Sequence, residues 1–213
     1  MEKVKVLKNN TIAPKAHLIR LDTSMSFVAG QVIEICIEKG SIPRMYSIAS
    51  SPNMKYIEIL FDVKTKGELS PQLANLNSGD ELYISAPSGS FVDKGNTAWW
   101  IATGTGIAPY RSMLKNQSCN NKKLIHGVRK AKQLYFRKEF EDALKKNYIP
   151  CCSNENDGNV FQGRVTDYIE SLNNIPRDIN YYLCGNAEMI VDMRDILILK
   201  GVPYNKILAE IYF

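Results

Sequence analysis

The sequence predicts two domains, an N-terminal antiparallel β-barrel and a C-terminal α/β domain built on a parallel sheet. Roughly the first ninety residues contain short strand-forming runs separated by turn residues, which is the pattern of a small barrel. From about Thr97 onward, apolar strand candidates alternate with helical stretches, which is typical of βαβ units. We therefore predict domains at residues 1–94 and 95–213.

In the first domain, period-two alternation and β-branched residues predict the strands, and Gly, Asn, Asp and Pro predict the turns between them. The strand candidates are residues 3–7, 17–21, 31–37, 55–63 and 81–85. One helix is expected around residues 71–76, where Pro71 suits a first helical turn.

In the second domain, apolar runs predict buried strands and amphipathic stretches predict the helices between them. The strand candidates are residues 98–102, 123–128, 148–152, 181–184 and 207–213, and the helix candidates are residues 107–115, 137–146, 165–172 and 187–200. In the last helix a stripe containing Met189 and Met193 falls on one face, and we interpret it as core.

Composition narrows the class of protein. A chain of 213 residues with 45% hydrophobic residues can bury a sizeable core. A net charge of +5 favours a modest attraction for acidic partners, although an ordinary solvated surface explains the charge equally well. There is no signal-peptide pattern and no run of membrane-spanning length, so we expect a cytoplasmic protein with no membrane span and no nucleic-acid partner. Five cysteines without a C-x-x-C pair indicate neither a disulfide framework nor a metal site.

The motif T-G-T-G-I-A-P at residues 103–109 follows an apolar strand and precedes a helix. That order directs free backbone N–H groups and a helix dipole at a phosphate. Pro109 suits the first turn of the helix, where its missing N–H costs nothing. Taken alone, Gly104 and Gly106 are equally compatible with a tight turn that binds nothing.

Two short motifs in the first domain have polar groups that suit a nucleotide. In R-M-Y-S at residues 44–47, Arg44 can bind a pyrophosphate with its forked guanidinium, and Tyr46 offers an aromatic plane. A half-buried strand with an exposed arginine is the alternative. In G-E-L-S at residues 67–70, Ser70 is expected to cap a helix, either beside an anion site or as plain capping.

Two further candidates lie in the second domain. Cys184, Gly185 and Asn186 follow a predicted parallel strand, at the sheet edge where open α/β sheets bind ligands. A lone cysteine there can equally be a small core residue. Glu210 and Tyr212 alternate along the final strand, so a carboxylate and a ring can face one site.

In this order the motifs R-x-Y-S, G-x-x-S, G-T-G-I-A-P, C-G-N and a terminal E-x-aromatic closely resemble the ferredoxin–NADP(+) reductase superfamily of compact bacterial type. The resemblance covers nearly the whole chain. It implies a flavoprotein oxidoreductase in which a ferredoxin reductase-like barrel binds FAD and the α/β domain binds NADP(H). Such an enzyme transfers electrons between NADP(H) and a one-electron carrier, an acidic ferredoxin or flavodoxin.

The resemblance also implies roles for individual residues. Arg44 holds the FAD pyrophosphate, Tyr46 packs on the isoalloxazine and Ser47 lies near flavin N5. The other implied FAD contacts are Met45, Gly67, Glu68, Leu69, Ser70, Thr105, Tyr212, which stacks on the flavin, and Phe213, which packs against the adenine. The implied NADP contacts are Gly104, Gly106, Ile107, Pro109, Arg129, Ser153, Arg164, Cys184, Gly185 and Asn186. The implied catalytic residues are Ser47, Cys184, Glu210 and Tyr212.

The preference between the two nicotinamide dinucleotides depends on three positions. Bacterial members of the family place cations at the 2′-phosphate, and here Arg129 and Arg164 match, whereas Asn154 stands where an arginine is expected. Two arginines of three favour NADP. The alternatives left open are an NADH-dependent flavin or oxygenase reductase, an electron-transfer subunit of a larger complex, and a binding module without catalysis.

Overall fold

The computed structural model describes residues 1–116, 119–155 and 158–212. These residues form two compact units. The first comprises Met1–Asp93 with Ala108–Asn116, and the second comprises Lys94–Ile107 with the described residues after Asn116. The predicted domain limits at residues 94 and 95 stay a prediction, because compact packing units need not coincide with domains.

The first unit is built on six antiparallel strands in the order β4-β3-β6-β1-β2-β5. The strands are β1 (Glu2–Ala13), β2 (Ala16–Leu21), β3 (Val32–Cys36), β4 (Arg44–Ser47), β5 (Ile57–Asp62) and β6 (Glu81–Ile84). An isolated bridge between Ile48 and Ile59 joins the chain after β4 to β5. Because this bridge links the two ends of the sheet, the predicted antiparallel barrel is confirmed.

Strand β1 is much longer than the predicted run at residues 3–7. Its first part pairs with β6 and its second part pairs with β2, with register shifts after Val6 and after Thr11. Such irregularities bend a strand and let it serve two neighbours. Residues 8–12 carry no apolar alternation, so only the pairing with β2 makes them a strand.

Two helices belong to the first unit, α1 (Leu69–Asn75) and α2 (Ala108–Leu114). Asn9 of β1 donates from Nδ2 to the carbonyls of Leu73 and Leu76, at 2.9 and 2.8 Å, and so satisfies the end of α1. In α2, Arg111 donates to Oε2 of Glu58 on β5 at 2.8 Å, and both side chains are almost fully buried. A buried ion pair therefore joins α2 to the barrel strands.

The second unit is a six-stranded parallel sheet in the order β10-β9-β8-β7-β11-β12. Its strands are β7 (Ala98–Thr103), β8 (Lys122–Val128), β9 (Tyr148–Cys152), β10 (Phe161–Gln162), β11 (Asn180–Asn186) and β12 (Ile207–Tyr212). Its helices are α3 (Arg137–Leu144), α4 (Val165–Ser171) and α5 (Ala187–Leu199). This confirms the predicted α/β architecture and adds the two-residue strand β10, which is too short to give a sequence pattern.

The strand order places a switch point between β7 and β11. From β7 the chain proceeds outward through β8, β9 and β10, and then returns to add β11 and β12 on the other side. In open α/β sheets, ligands bind at the carboxyl ends of the strands at this reversal. One face of the sheet is covered by α5, whose Met189, Met193 and Leu197 are buried in the core as predicted. Within the described residues, no helix combines the length and the apolar character needed to cross a membrane.

Candidate functional site

The glycine motif lies at the switch point of the second unit. After β7 the chain makes a short 3-10 turn, Gly104–Ile107, and Gly106 approaches the end of β11 closely. A Cβ atom at Gly106 would lie 2.4 Å from the carbonyl oxygen of Cys184 and 2.7 Å from its carbonyl carbon. Only glycine therefore permits this approach, and Gly104, at φ +55°, adopts a left-handed conformation that glycine tolerates best.

The other partner in this close approach is the end of β11. A Cβ atom at Gly185 would lie 2.1 Å from Oγ1 of Thr103, at a φ of +154°. That Thr103 hydroxyl is buried without a hydrogen-bond partner among the described residues. Asn186 caps α5, since its Oδ1 accepts from the Met189 backbone N–H at 2.9 Å. Gly106 and Gly185 thus let the turn and the strand end pack directly against each other, whereas the position of a Gly104 Cβ has no atom within 4 Å. The open backbone at Gly104 and the start of α5 suit a phosphate-bearing ligand.

Cys184 and Glu210 meet in the same region. They are direct partners in the pairing of β11 with β12, and the Cys184 Sγ lies 4.0 Å from the Glu210 Oε1. Burial raises the pKa of the Cys184 thiol well above its usual value, the Glu210 carboxylate raises it further, and a hydrogen bond with Tyr212 opposes these effects. At neutral pH the group is therefore a neutral thiol.

The three candidate residues for a 2′-phosphate lie at one edge of the parallel sheet. Val128 at the end of β8 and Gln162 at the end of β10 both align with Cys152 at the end of β9. Arg129, Ser153 and Arg164 follow these strand ends, so the topology brings them to neighbouring positions. Arg129 and Arg164 are exposed and Ser153 is half-buried.

Asn154, which stands where a third arginine is expected, forms hydrogen bonds with two neighbouring residues at this edge. Its backbone N–H donates to the Arg129 carbonyl at 3.0 Å, and its side-chain Oδ1 accepts from the Ser153 hydroxyl at 3.0 Å. It therefore shapes the loop after β9 without adding a cation. The Arg164 guanidinium lies 4.0 Å from the Glu188 carboxylate, and both side chains are mostly exposed, so this pair is weak.

In the first unit, β4 presents the R-M-Y-S motif. Arg44 is exposed, and its Nη1 donates to the Pro43 carbonyl at 3.2 Å. Tyr46 is half-buried and lies edge-on to Phe61, with ring centroids 6.1 Å apart, and burial raises its pKa to about 12. Ser47 is buried at the end of the strand. The motif thus offers a guanidinium, a ring and a hydroxyl in succession along one strand.

The capping role predicted for Ser70 is wrong. Ser70 lies inside α1, and its Oγ accepts from the Lys64 backbone N–H at 2.9 Å, which closes the loop before the helix. The N-cap position belongs to Glu68, whose side chain makes no capping hydrogen bond. Helix α1 begins earlier than predicted because Leu69 packs against the barrel core and extends the helical turn.

The remaining predicted contacts fall into two groups. In the glycine turn, Thr105 is half-buried and Ile107 is buried, and Pro109 is buried in the first turn of α2. On β4, the side chain of Met45 is 67% exposed. Phe213 lies outside the described residues. Two polar residues, Thr103 and His126, are not among the predicted contacts; their side-chain Oγ1 and Nε2 are buried without partners among the described atoms. A polar residue within an apolar run is the signal that marks both.

The barrel with its R-x-Y-S strand and the parallel sheet with a glycine turn at its switch point define the class, a flavin-dependent oxidoreductase that uses a nicotinamide dinucleotide. Residues 1–92 match the family model of the oxidoreductase FAD-binding domain, and residues 100–195 match that of the oxidoreductase NAD-binding domain. Both cofactors fit the residues present, the second at the switch point, where the backbone of Gly104 is open.

Individual relatives narrow the class. The chain is 30% identical over 222 residues to a ferredoxin–NADP reductase of Azotobacter vinelandii, covering 88% of this chain and 84% of the relative. It is 34% identical over 182 residues to a flavodoxin/ferredoxin–NADP reductase of Buchnera aphidicola from Schizaphis graminum, covering 73% and 69%. The fold matches a ferredoxin NADP+ reductase from Neisseria gonorrhoeae with bound FAD and NADP at a TM-score of 0.90 and 21% identity, covering 100% and 98%. The chain belongs to the ferredoxin–NADP reductase family.

Proposed function

We propose that this protein transfers electrons between NADP(H) and an acidic one-electron carrier, a ferredoxin or flavodoxin, through bound FAD. The observation that carries the proposal is the pairing of Cys184 with Glu210 at the switch point, where the glycine turn packs against β11. A neutral thiol beside a carboxylate at this end of the parallel sheet supports a nicotinamide site there. Bound FAD supplies two-electron exchange with the nicotinamide and one-electron exchange with the carrier.

The first unit contributes the groups that bind the flavin. Arg44 would bind the pyrophosphate, since a guanidinium forms paired, charge-assisted hydrogen bonds with phosphate oxygens. Tyr46 would pack its ring against the isoalloxazine, and Phe61 already fixes the orientation of that ring. Ser47 would hydrogen-bond near the reactive edge of the flavin. These roles come from the family resemblance and agree with the chemistry of the side chains.

The second unit contributes the groups that orient the nicotinamide. Gly104 and Gly106 would let the backbone approach the dinucleotide closely, with Thr105 beside the flavin. Cys184 would pack a small, uncharged side chain against the reacting carbon without competing for a proton, because its thiol stays neutral. Glu210 would balance charge beside it. Tyr212 would cover the flavin face until the nicotinamide displaces it.

The preference for NADP rests on Arg129, Ser153 and Arg164. Two exposed guanidinium groups and a hydroxyl at neighbouring strand ends suit a 2′-phosphate, which carries charge that a bare ribose lacks. Asn154 supplies no cation, so the contrast between the two nucleotides should be smaller than a third arginine would give. This is the observation that keeps an NADH-dependent reductase as the second candidate.

The preference for an acidic carrier and the cytoplasmic location complete the proposal. A net charge of +5 attracts acidic proteins such as ferredoxin and flavodoxin over distances of about a Debye length. A carrier that accepts one electron at a time matches the exchange that FAD permits. We propose a cytoplasmic location, because reduced pyridine nucleotides and such carriers are available there.

The test is to purify the protein and follow its flavin spectrum. We expect a yellow protein that releases FAD on heating, bleaches under anaerobic conditions on addition of NADPH, and then reduces ferredoxin or flavodoxin catalytically. Faster bleaching and turnover with NADH would favour the second candidate. A protein that binds no flavin, or whose bound flavin neither nucleotide reduces, would contradict the proposed function.

A further inference from the structure

His126 is a fully buried residue of β8 that lies beside the glycine turn. In the parallel pairing of β7 with β8 it is the partner of Ala102, and the turn begins two residues further along the chain, at Gly104. The Nε2 atom of His126 is buried and has no hydrogen-bond partner among the described residues. Because a buried polar atom without a partner costs free energy, an acceptor brought within reach of this nitrogen would gain a favourable hydrogen bond.

The other ring nitrogen of His126 contacts Tyr148 on the neighbouring strand β9. Nδ1 lies 3.2 Å from the Tyr148 hydroxyl, and the Tyr148 ring stacks on Phe140 of α3 with ring centroids 5.8 Å apart. Burial raises the pKa of Tyr148, so its hydroxyl keeps a proton that it can donate to Nδ1. A neutral imidazole then carries its single proton on Nε2. We assign this tautomer from the partners of the ring.

The Gly104 backbone is the acceptor that this proton faces. It raises the pKa of His126 against the larger, opposite effect of burial, which is the effect of a carbonyl oxygen directed at the imidazole. The contact is looser than an ordinary hydrogen bond, since Nε2 meets no acceptor at full hydrogen-bond geometry within the described residues. Packing around Gly104 is also sparse, because no atom lies within 4 Å of the position that its Cβ would occupy.

We propose that His126 is a positioning residue that holds the glycine turn for the nicotinamide dinucleotide, by donating from Nε2 to the Gly104 carbonyl. This role rests on the proposed function, because it takes the nucleotide to bind at the turn. The Gly104 carbonyl and the Thr105 N–H belong to one planar trans peptide and point in opposite directions. Holding the carbonyl toward His126 therefore directs the Thr105 N–H away from β8, where it can donate to a phosphate oxygen of the nucleotide.

The conformation of Gly104 makes such a restraint useful. Its φ of +55° lies in the region where glycine has unusual freedom, so the peptide that follows it can rotate at low cost. A restraint that is present before the nucleotide binds reduces the conformational entropy lost on binding. The expected consequence is tighter binding of the whole dinucleotide, with no effect on a ligand that does not reach the turn.

The test compares two ligands of the FAD-loaded protein by calorimetric titration. NADP+ reaches the glycine turn, whereas 2′-AMP carries the 2′-phosphate for Arg129 and Arg164 but neither the pyrophosphate nor the nicotinamide. His126→Leu removes both ring nitrogens and should weaken NADP+ binding about tenfold, as expected for one lost hydrogen bond, while 2′-AMP binding stays unchanged. His126→Gln keeps an amide donor toward Gly104 and should restore most of the NADP+ affinity.

Tyr148→Phe tests the assigned tautomer with little change in packing, because the ring that remains keeps its stack on Phe140. Without the hydroxyl, the imidazole proton is no longer confined to Nε2, so NADP+ binding should weaken about threefold. Adding Tyr148→Phe to His126→Leu should weaken NADP+ binding no further, because the effect of the hydroxyl passes through the imidazole.

The matched control is Leu124→Val, which shortens a buried side chain on the same face of β8, two residues before His126. It should lower the melting temperature without changing the ratio of the NADP+ and 2′-AMP affinities. If His126→Leu lowers both affinities equally, leaves both unchanged or is not rescued by His126→Gln, the positioning role is overturned. An unchanged NADP+ affinity in Tyr148→Phe overturns it as well, whether or not His126→Leu folds. A wild-type protein whose flavin neither nucleotide reduces refutes the proposed function itself.

Discussion

His126 is a buried titratable residue that the proposed chemistry does not use. It lies on β8, fully buried, and its Nδ1 is 3.2 Å from the Tyr148 hydroxyl. Burial lowers the pKa of His126 to about 3, and the backbone of Gly104 opposes this shift to a smaller extent. The imidazole is therefore neutral in the folded protein at neutral pH.

This burial predicts how stability depends on pH. The unfolded chain protonates the His126 imidazole below about pH 6.5, whereas the folded chain does so only near pH 3, so the unfolded state binds the extra proton between these values. Stability should fall as the pH drops through this window, by roughly 1.4 kcal/mol per pH unit from this residue. The measurement is the free energy of unfolding in urea at pH 4, 5 and 6.

The control for this prediction is His126→Gln, which keeps a side-chain acceptor for the Tyr148 hydroxyl but cannot titrate. The variant should be less stable at pH 7 and should show a shallower decline toward pH 4. Since His17 is present in both proteins, its own titration cancels in the comparison. Equal pH slopes in the two proteins would show that His126 is not buried as a neutral group.

Among the elements, the glycine turn after β7 depends on close packing against β11. Replacing Gly106 by alanine places a methyl group within 2.4 Å of the Cys184 carbonyl oxygen, so either the turn or the strand end must shift. We expect Gly106→Ala to weaken NADP binding about tenfold or more while FAD stays bound. Nucleotide titration and flavin absorbance measure the two effects separately.

Gly104→Ala is the matched control within the same turn. No atom lies within 4 Å of the position that its Cβ would occupy. The left-handed backbone costs the variant only about 1 kcal/mol. Gly104→Ala should therefore lower the melting temperature only slightly, whereas Gly106→Ala should lower it more. A loss of NADP affinity in Gly104→Ala would come from direct contact with the nucleotide. Equal melting temperatures for the two alanine variants would argue against the steric reason given for Gly106.

Helix α2 depends on a buried charge pair. Burial alone would raise the pKa of Glu58, but hydrogen bonds from Arg111 and Arg20 outweigh it and lower that pKa. Arg111→Met should lower the free energy of unfolding by about 3 kcal/mol, because Glu58 loses its buried partner. The double variant Glu58→Met with Arg111→Met should recover much of that loss, and urea unfolding of all three proteins tests it. A double variant as unstable as the two single losses added together would contradict this account.

The arginines at the ends of β8 and β10 should determine the preference for NADPH over NADH. Arg129→Ala and Arg164→Ala should each raise the KM for NADPH much more than that for NADH, since each removes a charge-assisted contact worth roughly 1.5 to 3 kcal/mol. Lys130→Ala is the control, because Lys130 lies on the same edge and pairs with Glu155 at 3.8 Å. Equal effects on both nucleotides would remove the arginines from the 2′-phosphate site.

For the whole molecule, net charge predicts how the carrier is recognised. A chain with a net charge of +5 should associate with an acidic ferredoxin more slowly as salt screens the attraction. Raising the salt concentration from roughly 0.05 to 0.5 M should lower the rate of ferredoxin reduction several-fold. Reduction of a neutral quinone by the same enzyme is the control and should change little. Parallel declines with both acceptors would place the salt effect on the nucleotide instead.

Much of this molecule follows from local patterns. Period-two alternation before residue 94 and βαβ alternation after it identify the two architectures, because each sheet type requires its own burial pattern. The glycine motif and the C-G-N motif fall at strand ends on periodicity alone. Their adjacency then follows from the rule that parallel strands end at one edge. The order of motifs along the chain identifies the family.

Local sequence patterns therefore specify the type and order of the elements, whereas the folded structure alone shows which distant polar groups pair with one another. The second half of β1 is a strand because β2 supplies its hydrogen bonds. Ser70 binds the Lys64 amide instead of capping a helix, and Arg111 packs α2 onto the barrel through Glu58. The physical reason is that a polar group must find a partner once it is buried, and that partner can be remote in the chain, where no local pattern reports it.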